Sequence, residues 1–144
     1  MRIVLDTSVI VEIDRKNPDV IKIVKKLIDN GSEIILSMIT VSEILTGSHL
    51  TKNAKESVLE AKRIMGQFIW VELDAEIAEK TAQYLAYLIS HGKIIEYQDV
   101  AIAATFKATD SDYILTLNKA HFEHLPELSG KIYTPAEFSK KLKN

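Results

Sequence analysis

Three acidic residues occupy positions that the predicted secondary structure would bring together. Asp6 directly follows the first apolar run, Glu43 falls in the first turn of the helix after the second predicted strand, and Asp99 stands at the N-terminus of a strongly apolar helix. Thr116 and Asn118 end the fourth predicted strand. In open parallel sheets the ligand crevice lies beyond the carboxyl ends of the strands. We therefore expect these five residues to share one rim and to form a catalytic site.

Each acid also has a purely structural explanation. Asp6 could cap the short helix behind it, Glu43 could complete a capping box with Thr40, and Asp99 could favour the positive end of its helix dipole. Taken singly, each residue is better explained in this way. Taken together, three carboxylates in one crevice repel one another, and protonation or a bound cation must relieve that repulsion.

The donor types indicate which cation would fit. The sequence has no cysteine, and a site made of oxygen ligands suits a hard ion such as Mg²⁺ or Mn²⁺. The predicted metal ligands are Asp6, Asp99 and Glu43. Asp99 precedes the apolar residues 100–106, whose burial would draw it inward. Glu96, three residues earlier, could share its face or remain solvated. The pattern predicts metal-dependent phosphate chemistry.

Strand-like and helix-like segments alternate along the chain. Strands are predicted over residues 3–5, 34–38, 69–73, 113–116 and 131–133. Helices are predicted over 9–13 after a turn at 6–8, from an Asn17 cap to Asn30-Gly31, from a capping box at 40–43, over roughly 51–66, from an Asp74 cap to His91-Gly92, over 100–106, and after a capping box at 134–137. Helices between strands imply parallel pairing. We predict a three-layer α/β/α sandwich with a central parallel sheet, forming one domain over residues 1–144.

Composition limits the partners and the location. Eighteen Lys and Arg residues stand against 20 Asp and Glu residues, which leaves a formal net charge of −2. Such a chain has no overall positive field, so a polyanion must be held by a local patch. The longest nearly unbroken apolar run, residues 34–41, is far shorter than the ~20 residues needed to span a bilayer. With no cysteine and no signal peptide pattern, the sequence predicts a cytoplasmic protein that does not bind membranes.

Several segments resemble PIN-domain nucleases, most closely the toxin subunits of VapBC toxin–antitoxin pairs. They are Val4-Leu5-Asp6-Thr7-Ser8, Thr40-Val41-Ser42-Glu43-Ile44-Leu45, Asp99-Val100-Ala101-Ile102-Ala103-Ala104 and Leu115-Thr116-Leu117-Asn118. The resemblance extends to about Tyr133. It implies that Asp6, Glu43 and Asp99 correspond to the metal-binding acids of the family, and that Thr116 and Asn118 belong to its polar strand end. It also implies hydrolysis of an RNA phosphodiester to 5′-phosphate and 3′-hydroxyl ends.

His121 departs from the family pattern. Many members have a fourth acid three residues after the asparagine, and here that position is His121. Imidazole is a poor Mg²⁺ ligand but can bind Mn²⁺ or contact a phosphate. A surface helix cap is the first interpretation of His121, and a contact with substrate or metal is the second.

The partners expected of this chain are RNA, a cognate antitoxin and a second copy of itself. The flanking cations Lys52, Lys55, Lys62, Arg63, Arg15 and Lys16 are the predicted RNA-binding patch. The helix after Asp74 has a second apolar stripe, formed by Ala75, Ala82, Ala86 and Ile89, and Ala78 helps to widen the apolar arc. Either a neighbouring helix of the same chain covers this stripe or, as the resemblance also implies, it forms a homodimer contact. The resemblance implies in addition a groove for an antitoxin peptide.

Two other functional classes compete with this hypothesis. A receiver or a haloacid-phosphatase-like domain would also place Asp6 at a strand end, but the phosphatase pattern requires a second aspartate where Ser8 stands. A receiver requires an acidic pair and a phospho-acceptor aspartate on a middle strand. The second alternative is a PIN fold that has lost catalysis through the change at His121 and acts only by binding.

Overall fold

A five-stranded sheet forms the centre of the protein, as seen in a computed structural model that describes residues 1–143. Asn144, the last residue of the domain predicted over 1–144, lies outside the described residues. The strands are β1 (Arg2–Leu5), β2 (Glu33–Ser37), β3 (Ile69–Val71), β4 (Tyr113–Leu115) and β5 (Ile132–Tyr133). They lie in the order β3-β2-β1-β4-β5, and all four pairings are parallel. The predicted parallel sheet is confirmed.

Helices connect the strands and cover both faces of the sheet. They are α1 (Thr7–Asp14), α2 (Pro18–Asp29), α3 (Met38–His49), α4 (Ala54–Met65), α5 (Ala75–Ser90), α6 (Tyr97–Ala108) and α7 (Pro135–Lys141). Two short 3-10 helices, Lys119–His121 and Pro126–Leu128, lie between β4 and β5. Because these turns have no hydrophobic periodicity of their own, the sequence patterns did not predict them.

The alternation of side chains along β1 divides the core into two layers. Ile3 and Leu5 point to one face, where they pack against residues of α1, α2, α3, α4 and α7. Val4 points to the other face, which α5 and α6 cover. All three side chains are fully buried, and burying one such aliphatic side chain contributes roughly 1.5–3 kcal/mol. The three-layer sandwich follows from this packing.

Three helix starts agree with the sequence prediction. The Asn17 side chain accepts hydrogen bonds from the amides of Asp19 and Val20, and Asp74 accepts one from the amide of Ile77 at 2.9 Å. Thr134 and Glu137 form the predicted reciprocal capping box at the start of α7. These caps bond the amides that a first helical turn leaves without intrahelical partners.

Two other helix starts differ from the prediction. The predicted turn at residues 6–8 does not form, because α1 begins at Thr7 immediately after the sheet. The capping box predicted at 40–43 is wrong: α3 begins at Met38, and its cap is Ser37, whose hydroxyl accepts a hydrogen bond from the amide of Ile39 at 3.2 Å. Thr40 is buried inside α3, and Glu43 therefore lies in the second turn rather than the first.

Smaller boundary differences occur elsewhere. Residues 51–53 precede α4 instead of belonging to it, so that helix begins at Ala54. The third strand ends at Val71, two residues earlier than predicted. Among residues 1–143, no helix is long and apolar enough to cross a membrane.

The outer face of α5 is open to solvent. Ile77, Thr81, Tyr84 and Leu88 are buried against the core, while every residue of the second apolar stripe is exposed, including Ile89 at 72%. The interpretation that a neighbouring helix of the same chain covers this stripe is therefore wrong. The homodimer contact stays a prediction.

Candidate active site

A pocket of about 520 Å³ opens at the carboxyl edge of the sheet. It brings together nearly all of the residues selected from the sequence: Asp6, Glu43, Glu96, Asp99, Asn118 and His121 all line it. Thr116 is fully buried and does not line the pocket, but its hydroxyl bonds Asp6, which does. The rim predicted from the crevice rule is present: Asp6 reaches it from the start of α1, Asp99 from the first turn of α6 and Glu43 from the second turn of α3.

Asp6 is the most enclosed of the acids. Its backbone amide continues the β1–β4 ladder by donating to the carbonyl of Leu115 at 2.9 Å, and the residue is only 3% exposed. Two hydroxyls, those of Ser8 and Thr116, each donate to Asp6 Oδ2 at 2.7 Å. The side chain makes no capping hydrogen bond to α1, which contradicts its structural explanation as a helix cap.

The two hydroxyls connect Asp6 to the end of β4. The backbone amide of Leu117 donates to Ser8 Oγ at 3.0 Å, and the amide of Asn118 donates to Thr116 Oγ1 at 2.9 Å. Each hydroxyl thus accepts from an amide and donates to the carboxylate, an arrangement in which successive hydrogen bonds polarise one another. Asp6 Oδ1, in contrast, receives no protein donor within the described residues.

Glu43 is held by a hydroxyl from α1. Thr7 Oγ1 donates to Glu43 Oε1 at 2.8 Å and also lies 3.0 Å from the Thr40 hydroxyl. This contact replaces the capping box, so the structural explanation of Glu43 is also contradicted. Loss of hydration raises the pKa of Glu43, and the negative charges of Asp6, Asp99 and Glu96 add to this rise, while the bond from Thr7 opposes it.

Asp99 lies in the first turn of α6, and its side chain is 17% exposed. Burial raises its pKa, as does the charge of Asp6, and the nearby His121 partly opposes the rise. Glu96 precedes α6 as its N-cap residue but makes no side-chain capping bond. It is exposed at the pocket mouth, and its charge raises the pKa of Asp99 and Glu43.

His121 does not cap a helix. Its Nδ1 lies 2.8 Å from Asp99 Oδ2, with the imidazole about half exposed. The first interpretation of His121 is therefore wrong, because the short 3-10 helix directs the ring at Asp99 instead. Asn118 lines the pocket with its side chain free of hydrogen bonds to residues 1–143.

The donor set fits a hard divalent cation. Asp6, Glu43 and Asp99 offer only oxygen atoms, and burial raises the pKa of Glu43 and of Asp99, with repulsion among the carboxylates adding to the rise. A cation at this rim would relieve that repulsion. In the part of the chain that the structure describes, no three His, Cys, Asp or Glu side chains already lie close enough to form a complete ligand cage.

The predicted cationic patch is partly neutralised. Lys16 and Arg63 both bind Glu60, at 2.8 and 2.7 Å, and their hydrogen bonds lower the pKa of Glu60 to about 2. Arg15 lies 3.6 Å from Glu12. Over residues 1–143, no ion pair involves the exposed Lys52, Lys55 and Lys62. These three lysines remain available to bind an anion.

The hydroxyls of Thr7, Ser8 and Thr40 belong to the site although the sequence patterns did not predict them as site residues. Thr7 and Ser8 belong to the quoted motif after β1, and Ser8 lies two residues beyond Asp6, within reach of its carboxylate. This spacing of two residues could have predicted the contact between Ser8 and Asp6. The contact between Thr7 and Thr40 joins residues of different helices, and local patterns do not reveal such pairs.

Known proteins match the part of this chain that carries the site residues. The sequence profile of the PIN domain matches residues 3–128. Ribonuclease VapC1 of Methanocaldococcus jannaschii is 32% identical over 133 residues, which cover 92% of this chain and 87% of that protein. Ribonuclease VapC19 of Mycobacterium tuberculosis is 30% identical over 124 residues, which cover 86% of this chain and 94% of that protein.

Solved structures agree with the observed fold. FitAcB from Neisseria gonorrhoeae has a TM-score of 0.77 at 30% identity, with 93% of this chain and 98% of that one covered. VapBC2 from Rickettsia felis, bound to a DNA fragment from its promoter, has a TM-score of 0.84 at 21% identity, with 93% and 98% covered. The latter similarity supports the fold alone.

Proposed function

Because the chain belongs to the PIN-domain family and, within it, to the VapC-type ribonucleases, we propose that its rim of carboxylates hydrolyses RNA phosphodiester bonds with the help of a divalent cation. The observation that supports this most directly is the convergence of Asp6, Glu43 and Asp99 on one open pocket. Membership of this family excludes the receiver and phosphatase alternatives.

Asp6, Asp99 and Glu43 would hold the ion, which is Mg²⁺ or Mn²⁺. Once bound, such an ion stabilises negative charge on a phosphodiester and makes water more acidic. Ser8 and Thr116 fix the Asp6 carboxylate through Oδ2, so that Oδ1 is directed to a constant position. Thr7 does the same for Glu43 through Oε1. This preorganisation lowers the cost of assembling the site when substrate arrives.

The remaining rim residues act on the substrate side. Asn118 has an amide group free to donate to a phosphate oxygen, and Thr116 supports it through the bond to its backbone amide. Glu96 would be an auxiliary acid at the pocket mouth.

An acidic rim repels phosphate, so RNA binding must depend on cations elsewhere. The exposed Lys52, Lys55 and Lys62 are the cations that fit this task, and Arg15, Lys16 and Arg63 contribute less because acids already pair with them.

The chain is the toxin of a type II toxin–antitoxin pair in this proposal. Its structural relatives include toxin–antitoxin complexes, which supports a cognate antitoxin as partner. The exposed second stripe of α5 supports a homodimer. RNA as substrate and the lack of cysteine both suit action in the cytoplasm.

A cleavage assay tests the proposed function. Purified protein is incubated with total RNA in Mg²⁺, in Mn²⁺ and in excess EDTA, and discrete fragments with 5′-phosphate ends are expected only with an ion present. Asp6→Asn should lose most cleavage, at least about a hundredfold, since the charge is lost while the shape is kept.

The matched control is Asp14→Asn. Asp14 ends α1, is exposed, and is not among the pocket-lining residues, so Asp14→Asn should keep full activity and show that the loss in Asp6→Asn is specific to the site. Cleavage that survives Asp6→Asn or EDTA would refute the metal mechanism. Absence of cleavage in every condition would favour the alternative of a PIN fold that only binds.

A further inference from the structure

Each of the three principal acids has one oxygen already engaged by a protein group. Asp6 Oδ2 accepts from two hydroxyls, Glu43 Oε1 accepts from Thr7, and Asp99 Oδ2 faces the ring nitrogen of His121. One oxygen of each carboxylate remains open. Three open oxygens, completed by water and substrate, are sufficient for a single octahedral ion, because Mg²⁺ commonly uses only one or two carboxylates.

A second ion would need a carboxylate shared with the first, as in sites where two ions lie about 3.5–4 Å apart. Asp99 is suited to that role because Glu96, one turn earlier, could add oxygens on the same side. However, Nδ1 of His121 lies 2.8 Å from Asp99 Oδ2, the oxygen left for a second ion when the first ion binds Oδ1.

When Asp99 is ionised, the ring nitrogen at this contact carries a hydrogen, since a bare lone pair would otherwise face another lone pair at 2.8 Å. The imidazole therefore presents a positive N–H dipole to Asp99, whether or not the ring as a whole is charged. This N–H group occupies the place that a cation would take beside the Asp99 carboxylate. The 3-10 helix Lys119–His121 positions the ring, so the arrangement is part of the fold.

We propose that His121 takes the place of a second cation, so that this enzyme binds one divalent ion at its rim. The inference rests on the proposed function and specifies the stoichiometry of its metal site. His121 is thus a positioning residue for Asp99 that determines how many ions bind.

Metal binding without RNA tests the inference. Calorimetric titration with Mn²⁺ alone gives the number of ions, and electron paramagnetic resonance of the Mn²⁺-loaded protein distinguishes an isolated ion from a coupled pair. Wild type should bind one ion and give the spectrum of isolated Mn²⁺. His121→Asp replaces the N–H with a carboxylate, and we expect it to bind two ions with a spin-coupled signal.

His124→Asp is the matched control. His124 is exposed and three residues further along, outside the pocket lining, and the substitution changes charge and side-chain type in the same way. It should bind one ion like wild type. Circular dichroism checks that all three proteins are folded.

Two ions in wild type, or one ion in His121→Asp, would overturn the role assigned to His121. No Mn²⁺ binding by wild type at millimolar concentration would instead overturn the proposed metal-dependent function, so the two failures are distinguishable. Two ions in His124→Asp would also overturn the inference, because any added carboxylate would then create a second site.

Discussion

Replacing Thr116 by valine removes one hydroxyl at the centre of the site and leaves a side chain of nearly the same shape. The residue is fully buried. Its hydroxyl donates to Asp6 Oδ2 at 2.7 Å and accepts from the amide of Asn118 at 2.9 Å. Valine can do neither, so the carboxylate keeps only Ser8 as a donor and the amide loses its acceptor.

The size of the effect follows from these two bonds. A hydrogen bond to a charged group contributes about 1.5–3 kcal/mol, and a neutral one contributes about 0.5–1.5 kcal/mol. The added methyl group recovers up to about 0.8 kcal/mol of hydrophobic burial. We therefore expect Thr116→Val to lower the free energy of unfolding by about 1–4 kcal/mol, the sum of the two hydrogen-bond ranges less the contribution of the methyl group.

Urea unfolding of metal-free protein at neutral pH measures this loss as a lower midpoint with an unchanged m-value. The matched control is Thr105→Val. Thr105 is equally buried, but its hydroxyl makes one bond, to the carbonyl of Ala101 at 2.9 Å within α6. That substitution should cost about 1 kcal/mol or less. Equal losses at the two positions would refute the argument that the bond to Asp6 dominates.

Two further substitutions test the charge balance and the assembly. Because burial and the charge of Asp6 raise the pKa of Asp99 in the folded state, its ionisation costs stability as the pH rises above its ordinary value of 3.8. Asp99→Asn should therefore increase the melting temperature in EDTA at pH 7 and flatten the fall in melting temperature that wild type shows as the pH rises above 3.8. The same variant should gain less from Mg²⁺, which is expected to stabilise wild type by about 2.7 kcal/mol at a hundred times its Kd. Differential scanning fluorimetry measures both effects, and equal Mg²⁺ shifts in the two proteins would mean that the ion binds elsewhere. Ala86→Glu, on the exposed stripe of α5, should give folded monomers in sedimentation velocity, whereas wild type that is already monomeric at high micromolar concentration would contradict the dimer.

The parts of the fold that the sequence predicted well depend on local signals. Asn17 before Pro18, Asp74 before a periodic segment, and the Thr134–Glu137 pair are each decided within a few residues, and all three caps formed. The strands were found because short apolar runs bounded by polar residues are typical of a buried parallel sheet.

The start of α3 shows why another local signal failed. Ser37 and Thr40 can both cap a helix, and the capping-box pattern favoured the second. The chain uses Ser37 because β2 ends there and the helix follows at once, which buries Thr40. The end of β2 therefore decided which of the two residues caps the helix. Where a strand ends depends on the whole sheet, and the local sequence around Ser37 and Thr40 does not contain that information.

The acids of the rim were predictable, but their supporting contacts were only partly so. The crevice rule is enough to bring Asp6, Glu43 and Asp99 together. It does not specify that Thr116 bonds Asp6, that Thr7 bonds Glu43, or that His121 turns toward Asp99, because each pair joins segments distant in sequence. The single-domain interpretation of residues 1–144 also stays a prediction.

The bond between Asp6 and Thr116 spans 110 residues of sequence, and this separation has a consequence for synthesis. The central strand β1 emerges from the ribosome early and can pair with β2 soon afterwards, whereas β4 becomes available only late. Contacts between distant segments form slowly because a long loop must close first. A nascent chain that ends before Tyr113 lacks β4, Thr116 and His121, so its Asp6 has neither the hydroxyl of Thr116 nor the carbonyl of Leu115 that its amide bonds. The order of translation therefore delays completion of the site until most of the chain has been made.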